Sequence, residues 1–177
     1  MLLSRQCNYS QEDAIICAYQ NEEICTVQGP PGTGKTSTLV YCLLEELYSD
    51  KRVLACAPSN NAADNIAERF LKLGYPEEKV LRIAHPTRVR EEIHHLLLDK
   101  RVENSDEVVN KVEEIKLLIH RLPNATVVQK KELYHRLSYL YDELEVLKEL
   151  KSKQVLKEAR VVVTTIASSA NKMVQLY

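Results

Sequence analysis

Hydrophobic residues follow two different patterns along the 177-residue chain. In the first pattern, short apolar runs at residues 24–27, 53–57 and 80–83 alternate with amphipathic stretches, and a fourth run returns at residues 160–165. Such runs predict β-strands. Strands that alternate with helices form parallel sheets, and unbroken apolar strands are typical of sheets covered on both faces. The pattern therefore predicts an α/β fold.

The helices predicted between these runs have recognisable ends. The first is expected to begin at Ser10, with Asp13 three residues later as in a capping box. A second helix should follow the run at residues 24–27, and a third should span residues 62–73. Gly74 is well placed to end that third helix.

The second pattern occupies residues 87–158. Apolar residues there repeat at alternating spacings of four and three, first at Val108, Val112, Ile115 and Ile119, then at Leu133, Leu137, Leu140, Leu144 and Leu147. Such seams pack helix against helix, and Pro123 breaks the helix between them. We predict an inserted antiparallel hairpin whose second arm is about 45–50 Å long. The alternative is an oligomerising coiled coil, but the short break favours packing within the chain.

This division gives a core over residues 1–86, an insertion over residues 87–158 and a return to the core over residues 159–177. Tyr134 and Tyr141 lie beside the leucine seam and are predicted to pack there rather than to stack on bases.

Composition narrows the class of protein. The formal net charge is -1, so overall charge indicates no nucleic-acid partner and any such binding must come from local groups. The five cysteines form no C-x-x-C pair, and we expect mostly buried, reduced thiols in an intracellular protein. No stretch approaches the ~18 apolar residues of a membrane span, so no membrane partner is expected.

The strongest chemical signal is the segment from Gly29 to Thr36, which fits G-x-x-x-x-G-K-[ST]. Its glycines let the backbone approach phosphate oxygens, and successive N–H groups form an anion-binding nest at a helix start. We expect Lys35 to reach the β- and γ-phosphates of ATP, and the Thr36 hydroxyl to bind Mg²⁺. The expected site comprises Gly29, Pro30, Pro31, Gly32, Thr33, Gly34, Lys35, Thr36 and Ser37, with Lys35 and Thr36 acting in catalysis.

Three further segments carry a family resemblance. Asn8-Tyr9-Ser10-Gln11 resembles the glutamine motif of superfamily 1 helicases. Residues 57–65 resemble helicase motif Ia. In its C-A-P-S-N-x-A-x-D form this motif resembles the branch of senataxin, the nonsense-mediated-decay helicase and the immunoglobulin-mu-binding helicase. Residues 161–165 resemble motif Ic. Residues 81–86 are also similar to this branch, with Ala84 where the branch often has Gly.

The resemblance covers nearly the whole chain. It implies a partial RecA-like P-loop sheet, a helical insertion between motifs Ia and Ic, and a motor that moves 5′ to 3′ on single-stranded DNA or RNA in the nucleus or cytoplasm. It also implies that Gln11 reads the adenine edge. The implied nucleic-acid contacts are Pro58, Ser59, Asn60, Thr164 and Thr165.

A phosphate-loop ATPase also needs an acidic site that holds Mg²⁺ and activates water. Asp99 follows an apolar run and Asp142 lies in the leucine seam, but helical spacing argues against both. We therefore expect the acidic motif and the remainder of the motor to lie beyond residue 177, leaving a poorly soluble fragment that binds ATP without hydrolysing it. The alternatives are another P-loop enzyme, such as a small kinase, and a non-catalytic fragment that binds a partner through the hairpin.

Overall fold

The structure is a computed structural model that describes residues 7–20, 24–170, 172–175 and 177. These residues form seven α-helices and three strands. In chain order the elements are α1 (Tyr9–Gln20), α2 (Lys35–Tyr48), β1 (Val53–Ala57), α3 (Asn60–Lys72), β2 (Val80–Arg82), α4 (Leu98–Glu103), α5 (Asp106–Arg121), α6 (Val127–Glu158), β3 (Val161–Thr165) and α7 (Lys172–Gln175).

The three strands form one parallel sheet in the order β1-β3-β2. Val161 of β3 pairs with Val53 on one side and with Val80 on the other. All five residues of β3 are buried, because the strand lies between two others and has packed side chains on both faces. The α/β fold and the parallel sheet predicted from the sequence are confirmed.

Two apolar cores cover opposite faces of this sheet. One core contains Val161 and Val163 of β3 together with apolar residues of α2 and α3. The other contains Val162 of β3 and Leu81 of β2, together with residues of α4, α5 and α6. Alternate residues of a strand point to opposite faces, which is why neighbouring valines of β3 belong to different cores.

The strand predicted at residues 24–27 is wrong. Residues 24–30 have no regular secondary structure, and Ile24 is 83% exposed. A strand is stabilised by hydrogen bonds to a neighbouring strand, and none of the described strands pairs with this segment. An apolar run alone was therefore not enough to form a strand at residues 24–27.

The expectation that every strand is covered on both faces is also wrong for β1. Leu54 and Cys56 are exposed while the alternate residues of β1 are buried. Cys17 is exposed as well, and Cys7, Cys25 and Cys42 are only partly buried, so the cysteines are not mainly core residues. The helices α2 and α3 cover the side of β1 that carries Val53, Ala55 and Ala57.

Helix ends show how local chemistry sets the boundaries. The structure starts α1 at Tyr9 rather than Ser10, because Asn8 and Gln11 form the capping pair: the Gln11 N–H donates to Asn8 Oδ1 at 3.0 Å and the Asn8 N–H donates to Gln11 Oε1 at 3.1 Å. Gly74, with φ of 77°, follows α3 as predicted. Its N–H donates to the Leu71 carbonyl and the Tyr75 N–H to the Phe70 carbonyl, which is a Schellman ending.

The helices α5 and α6 pack antiparallel to each other. Lys111 forms an ion pair with Glu143 at 3.1 Å, and Glu114 forms one with Arg136 at 3.4 Å. The residue further along α5 thus pairs with the residue nearer the start of α6. The buried seam contains Val108, Ile115 and Leu118 on α5, and Leu137, Leu140 and Leu144 on α6. Leu118 takes the place predicted for Ile119, which is exposed. At ~1.5 Å per residue, α6 is about 48 Å long.

Residues 86–97 differ from the helical expectation. They form two 3-10 segments, Pro86–Arg88 and Glu91–Leu96, instead of an α-helix. Tyr134 and Tyr141 do not pack as predicted, because they are 60% and 48% exposed on the outer side of α6. Within the described ranges, no helix has both the length and the apolar character needed to cross a membrane.

Candidate functional site

The loop from Gly29 to Gly34 is shaped by two backbone positions that favour glycine. Gly32 and Gly34 have φ of 81° and 79°, in the left-handed region. The next residue, Lys35, begins α2, so the backbone N–H groups of the first helical turn face the loop without intrahelical acceptors. The partial positive charge of a helix start adds to these donors. The loop and the helix start thus form a cradle suited to an anion.

Lys35 folds back over this cradle. Its Nζ donates to the carbonyl oxygens of Gly29 at 2.8 Å and Pro30 at 2.7 Å. The Thr33 hydroxyl also donates to the Pro30 carbonyl, at 2.9 Å. The ammonium group is therefore held at the mouth of the loop by neutral acceptors. Thr36, in the first turn of α2, is exposed and Ser37 beside it is partly buried.

Gln11 connects α1 to this loop. Its Nε2 donates to the Thr33 carbonyl at 3.0 Å, while its Oε1 accepts from the Asn8 N–H. A Cβ atom at Gly34 would come within 2.9 Å of the same Nε2. Gln11 thus lies against the loop, and its amide braces the backbone there while one N–H of Nε2 has no partner among the described residues.

The carboxyl ends of β1 and β3 carry the second group of predicted site residues. Ala57 pairs with Thr165, so the segment that starts at Pro58 leaves the sheet beside the end of β3. Pro58 and Ser59 are exposed, and Ser59 caps α3 by accepting from the Ala62 N–H at 3.2 Å. Asn60, the first residue of α3, is partly buried.

The two threonines predicted for nucleic-acid contact have different surroundings. Thr164 has no exposed surface, and its hydroxyl donates to the Ile83 carbonyl at 3.1 Å. This side chain is committed within the sheet, so the contact expected from Thr164 does not fit its burial. Thr165, the last residue of β3, is 8% exposed, and its hydroxyl donates to Ser168 Oγ at 3.0 Å and accepts from the Ser168 N–H at 3.3 Å.

A buried ion pair behind this edge was not predicted from the sequence. Arg82, at the end of β2, donates from Nε to Asp64 Oδ1 at 3.0 Å, and both side chains are almost fully buried. Arg82 also donates from Nη2 to Asn60 Oδ1 at 3.0 Å. The available signal was an arginine within the apolar run at residues 80–83, where a charged residue needs a buried partner.

No carboxylate of the described chain forms a hydrogen bond or an ion pair with residues 29–36. Asp99 is exposed in the first turn of α4, and Asp142 is exposed on α6. Likewise, the described residues include no group of three or more His, Cys, Asp or Glu side chains arranged to hold a metal ion. Thr36 carries a hydroxyl, an oxygen donor of the kind that Mg²⁺ prefers.

Burial raises the pKa values of two thiols near the loop, Cys42 and Cys7. Burial, with a smaller contribution from nearby Cys25, raises the pKa of Cys42 on α2 to about 11. Burial also raises the pKa of Cys7. The Sγ atoms of Cys17 on α1 and Cys25, in the segment that leads into the loop, are 3.6 Å apart.

Comparisons with known proteins agree with these motifs. Residues 6–177 match the model of a family described as the AAA domain. DNA polymerase alpha-associated DNA helicase A from Saccharomyces cerevisiae is 34% identical over 181 residues, covering 99% of this chain and 26% of the relative. DNA-binding protein SMUBP-2 from Mus musculus is 41% identical over 97 residues, covering 55% of this chain and 10% of the relative.

A third relative is Helicase sen1 from Schizosaccharomyces pombe, which is 34% identical over 123 residues, covering 55% of this chain and 7% of the relative. The chain spans about a quarter of the length of helicase A and about a tenth or less of the other two. The chain belongs to the AAA domain family, within the superfamily 1 helicase branch of senataxin, the nonsense-mediated-decay helicase and the immunoglobulin-mu-binding helicase.

Proposed function

We propose that this chain is the ATP-binding portion of an ATP-dependent helicase that acts on single-stranded DNA or RNA. The observation that carries the proposal is the loop cradle: two glycines at positive φ, a helix start and the Lys35 ammonium group converge on one point. Relatives named DNA-binding protein SMUBP-2 and DNA polymerase alpha-associated DNA helicase A support the nucleic-acid substrate.

In the proposed binding event, the phosphates of ATP replace the loop carbonyls as partners of Lys35. The Gly29 and Pro30 carbonyls are neutral acceptors, so a phosphate oxygen attracts the ammonium group more strongly. Backbone N–H groups of residues 34–37 bind the same phosphates. The side chain that closes the loop mouth is therefore the one that holds the nucleotide.

Gln11 and Thr36 complete the proposed nucleotide site. Thr36 holds Mg²⁺ through its exposed hydroxyl, and the metal ion supplies charge neutralisation at the phosphates. The Gln11 amide contacts the adenine edge with its remaining N–H, while its bond to the Thr33 carbonyl keeps it beside the loop. Adenine recognition and loop geometry are then linked through one side chain.

The proposed nucleic-acid contacts are Pro58, Ser59, Asn60 and Thr165. They lie at the carboxyl ends of β1 and β3, where ligands of open parallel sheets bind. Exposed amides and hydroxyls at a helix start suit phosphate oxygens, which are common to DNA and RNA. Movement in the 5′ to 3′ direction, and hydrolysis that depends on an acidic residue from the remainder of the motor, also form part of this proposal.

The test is a titration of the chain with a fluorescent ATP analogue and Mg²⁺, with phosphate release measured on the same samples. Lys35→Ala is expected to weaken binding at least about tenfold, because it removes a charged hydrogen-bond donor. Lys131→Ala is the matched control, since Lys131 is exposed on α6. We expect the unaltered chain to bind the analogue without turnover.

Other results would change the assignment. Equal binding by the Lys35→Ala and Lys131→Ala variants would reject the loop as the nucleotide site. Turnover that depends on Lys35 would mean that the chain contains the catalytic acid, and Asp99→Asn and Asp142→Asn would then be compared.

One observation favours a second function, in which the hairpin binds a partner protein. Tyr139, Val146 and Leu150 are exposed on α6 and line a shallow depression, which is also lined by Leu147 and by the charged residues Lys111, Asp142 and Glu143. If this face mediates association of two copies, sedimentation should show a dimer that Val146→Ser with Leu150→Ser converts to a monomer. A protein that stays monomeric at all concentrations would reject association of two copies through this face.

A further inference from the structure

We infer that Arg82 is a positioning residue that fixes which end of the Asn60 side-chain amide faces a bound nucleic-acid strand. The inference deepens the proposed function and rests on it, because it concerns the same contact at the start of α3. Arg82 itself has no exposed surface. It can therefore act on a strand only through a neighbouring residue.

All three nitrogens of the Arg82 guanidinium group donate hydrogen bonds inside the protein. Nε donates to Asp64 Oδ1 at 3.0 Å, and Nη1 donates to the Ile83 carbonyl at 2.8 Å and, at 3.4 Å, to the Val163 carbonyl. The remaining nitrogen, Nη2, donates to Asn60 Oδ1 at 3.0 Å. One side chain thus connects α3 with the ends of β2 and β3.

Asp64 is the counter-ion of Arg82, and its second oxygen also lies 3.8 Å from Arg90 Nε. It lies one helical turn after Asn60 and is fully buried. Its second oxygen, Oδ2, accepts from the Arg90 N–H at 3.2 Å. A buried ion pair of this kind is often no more stabilising than apolar residues of the same size. Stability alone is therefore a weak reason for an arginine here, whereas the fixed position of Asn60 is a direct consequence of it.

The chemistry of the contact determines the orientation of the Asn60 amide. Arginine has only donors, so the atom of Asn60 that faces Nη2 must be the carbonyl oxygen. The amide nitrogen then occupies the other end, where its two N–H groups are available at a partly buried position beside exposed Ser59. Asn60 is thereby set to donate rather than to accept.

A donor at this point selects the kind of group that can bind. The backbone of a nucleic-acid strand offers phosphate oxygens, which only accept hydrogen bonds. The opposite orientation of the amide would place a carbonyl oxygen against the phosphate and would disfavour binding. Arg82 therefore makes Asn60 a contact for the strand backbone, independent of base sequence and of the sugar.

The test is a double-mutant cycle on the whole chain, with fluorescently labelled oligothymidylate as the probe. The variants are Asn60→Ala, Arg82→Lys and the double variant. Lysine keeps a charge for Asp64, but a single ammonium group does not reproduce the fork that reaches Asn60 and the Ile83 carbonyl. We expect each single variant to bind about five- to tenfold more weakly, as for loss of one hydrogen bond.

The decisive comparison is the double variant, which should bind no more weakly than Asn60→Ala alone because both changes remove the same contact. Binding of the fluorescent ATP analogue should stay within about twofold of the unaltered chain in all three variants. A purely structural role for Arg82 would instead weaken oligothymidylate binding equally with and without Asn60, and that result would overturn the inference.

The cycle separates failure of this inference from failure of the proposed function. Unchanged affinity in Asn60→Ala would reject the nucleic-acid contact itself. Loss in Asn60→Ala with none in Arg82→Lys would reject only the role of Arg82.

A further variant avoids any folding defect caused by changing Arg82. Asn60→Asp keeps an oxygen for Nη2 but places a second oxygen where the amide nitrogen was, so it should bind more weakly than Asn60→Ala. Binding as tight as that of the unaltered chain would show that the donor orientation is wrong.

Discussion

The side chain of Gln11 donates to the backbone carbonyl of Thr33, with 3.0 Å between Nε2 and the carbonyl oxygen. This bond joins α1 to the phosphate loop across 22 residues of sequence. Gly34 lies close to this bond: a Cβ atom at Gly34 would be 2.9 Å from Gln11 Nε2. The loop therefore depends on both the backbone of Gly34 and the position of Gln11.

We predict that Gly34→Ala lowers the free energy of unfolding by about 1–3 kcal/mol, the usual cost of a residue with a side chain at positive φ. It should also weaken binding of the fluorescent ATP analogue at least about tenfold, because the new methyl group displaces Gln11 from the loop. Urea denaturation and the titration measure the two effects.

Gly74→Ala provides the control for this prediction. Gly74 has nearly the same φ, 77°, but a Cβ atom there meets nothing within 4 Å. It should lose similar stability while keeping its nucleotide affinity. Equal loss of affinity in both variants would show that the effect of Gly34→Ala is general destabilisation.

The buried charge of Arg82 makes Asp64 sensitive to substitution. We predict that Asp64→Ala lowers the free energy of unfolding by about 3–5 kcal/mol, since it leaves a buried guanidinium without its counter-ion. Asp99→Ala, at an exposed position of α4, should change it by less than about 0.5 kcal/mol. A similar small change in both variants would contradict the burial of this pair.

The hairpin seam can be tested with two leucines that differ in burial. Leu140 is 3% exposed between the helices, whereas Leu117 is 65% exposed on α5. We predict that Leu140→Ala costs about 2–5 kcal/mol in unfolding free energy and Leu117→Ala less than about 0.5 kcal/mol. Helical circular dichroism during urea denaturation gives both values, and equal costs would reject the observed register of the seam.

The pKa of Cys42 predicts a pH-dependent reactivity. Only the thiolate is alkylated, and burial disfavours that charged form, which raises the pKa to about 11. At pH 8 about one Cys42 side chain in a thousand is ionised, so iodoacetamide should modify it slowly. The rate should increase about tenfold per pH unit up to the pKa, as followed by peptide mass spectrometry. A rate that levels off near pH 9 would contradict this environment.

The two neighbouring thiols of Cys17 and Cys25 give a redox prediction. With Sγ atoms 3.6 Å apart, mild oxidation by hydrogen peroxide should join them in a disulfide, releasing two water molecules. The cross-link restrains the unfolded chain, so the melting temperature should increase by several degrees, and dithiothreitol should reverse it. Cys25→Ser removes the effect, whereas Cys56→Ser should retain it. A disulfide in the Cys25→Ser variant would identify another pair.

The sequence predicted a strand correctly where an apolar run also has a neighbouring strand to pair with. The runs at residues 53–57, 80–83 and 160–165 are apolar, and each finds a neighbour in the sheet. The run at residues 24–27 has the same local character but no pairing partner among the described strands. An apolar run indicates only that its residues favour an extended backbone. A strand forms when that run also pairs with another strand that is distant in sequence.

The candidate site shows the same division. The phosphate loop could be predicted because its residues are contiguous and each has a local physical role. The pairing of Arg82 with Asp64 could not, since it joins a strand to a helix 18 residues away. Thr164 and Thr165 are neighbours in β3, but the Thr164 hydroxyl binds the Ile83 carbonyl whereas the Thr165 hydroxyl binds Ser168 after the strand. An apolar run does not reveal this difference.

The position of the hairpin between β2 and β3 has a consequence for folding. Val53 and Val161, which pair in the sheet, are about a hundred residues apart in sequence. Contacts between α5 and α6 are closer in sequence and should form earlier, because loop closure costs less for short separations. Once folded, the hairpin shortens the flexible chain between the strands and lowers the entropy lost when β3 docks. The hairpin thus acts as a spacer that brings β3 closer to its partner strands.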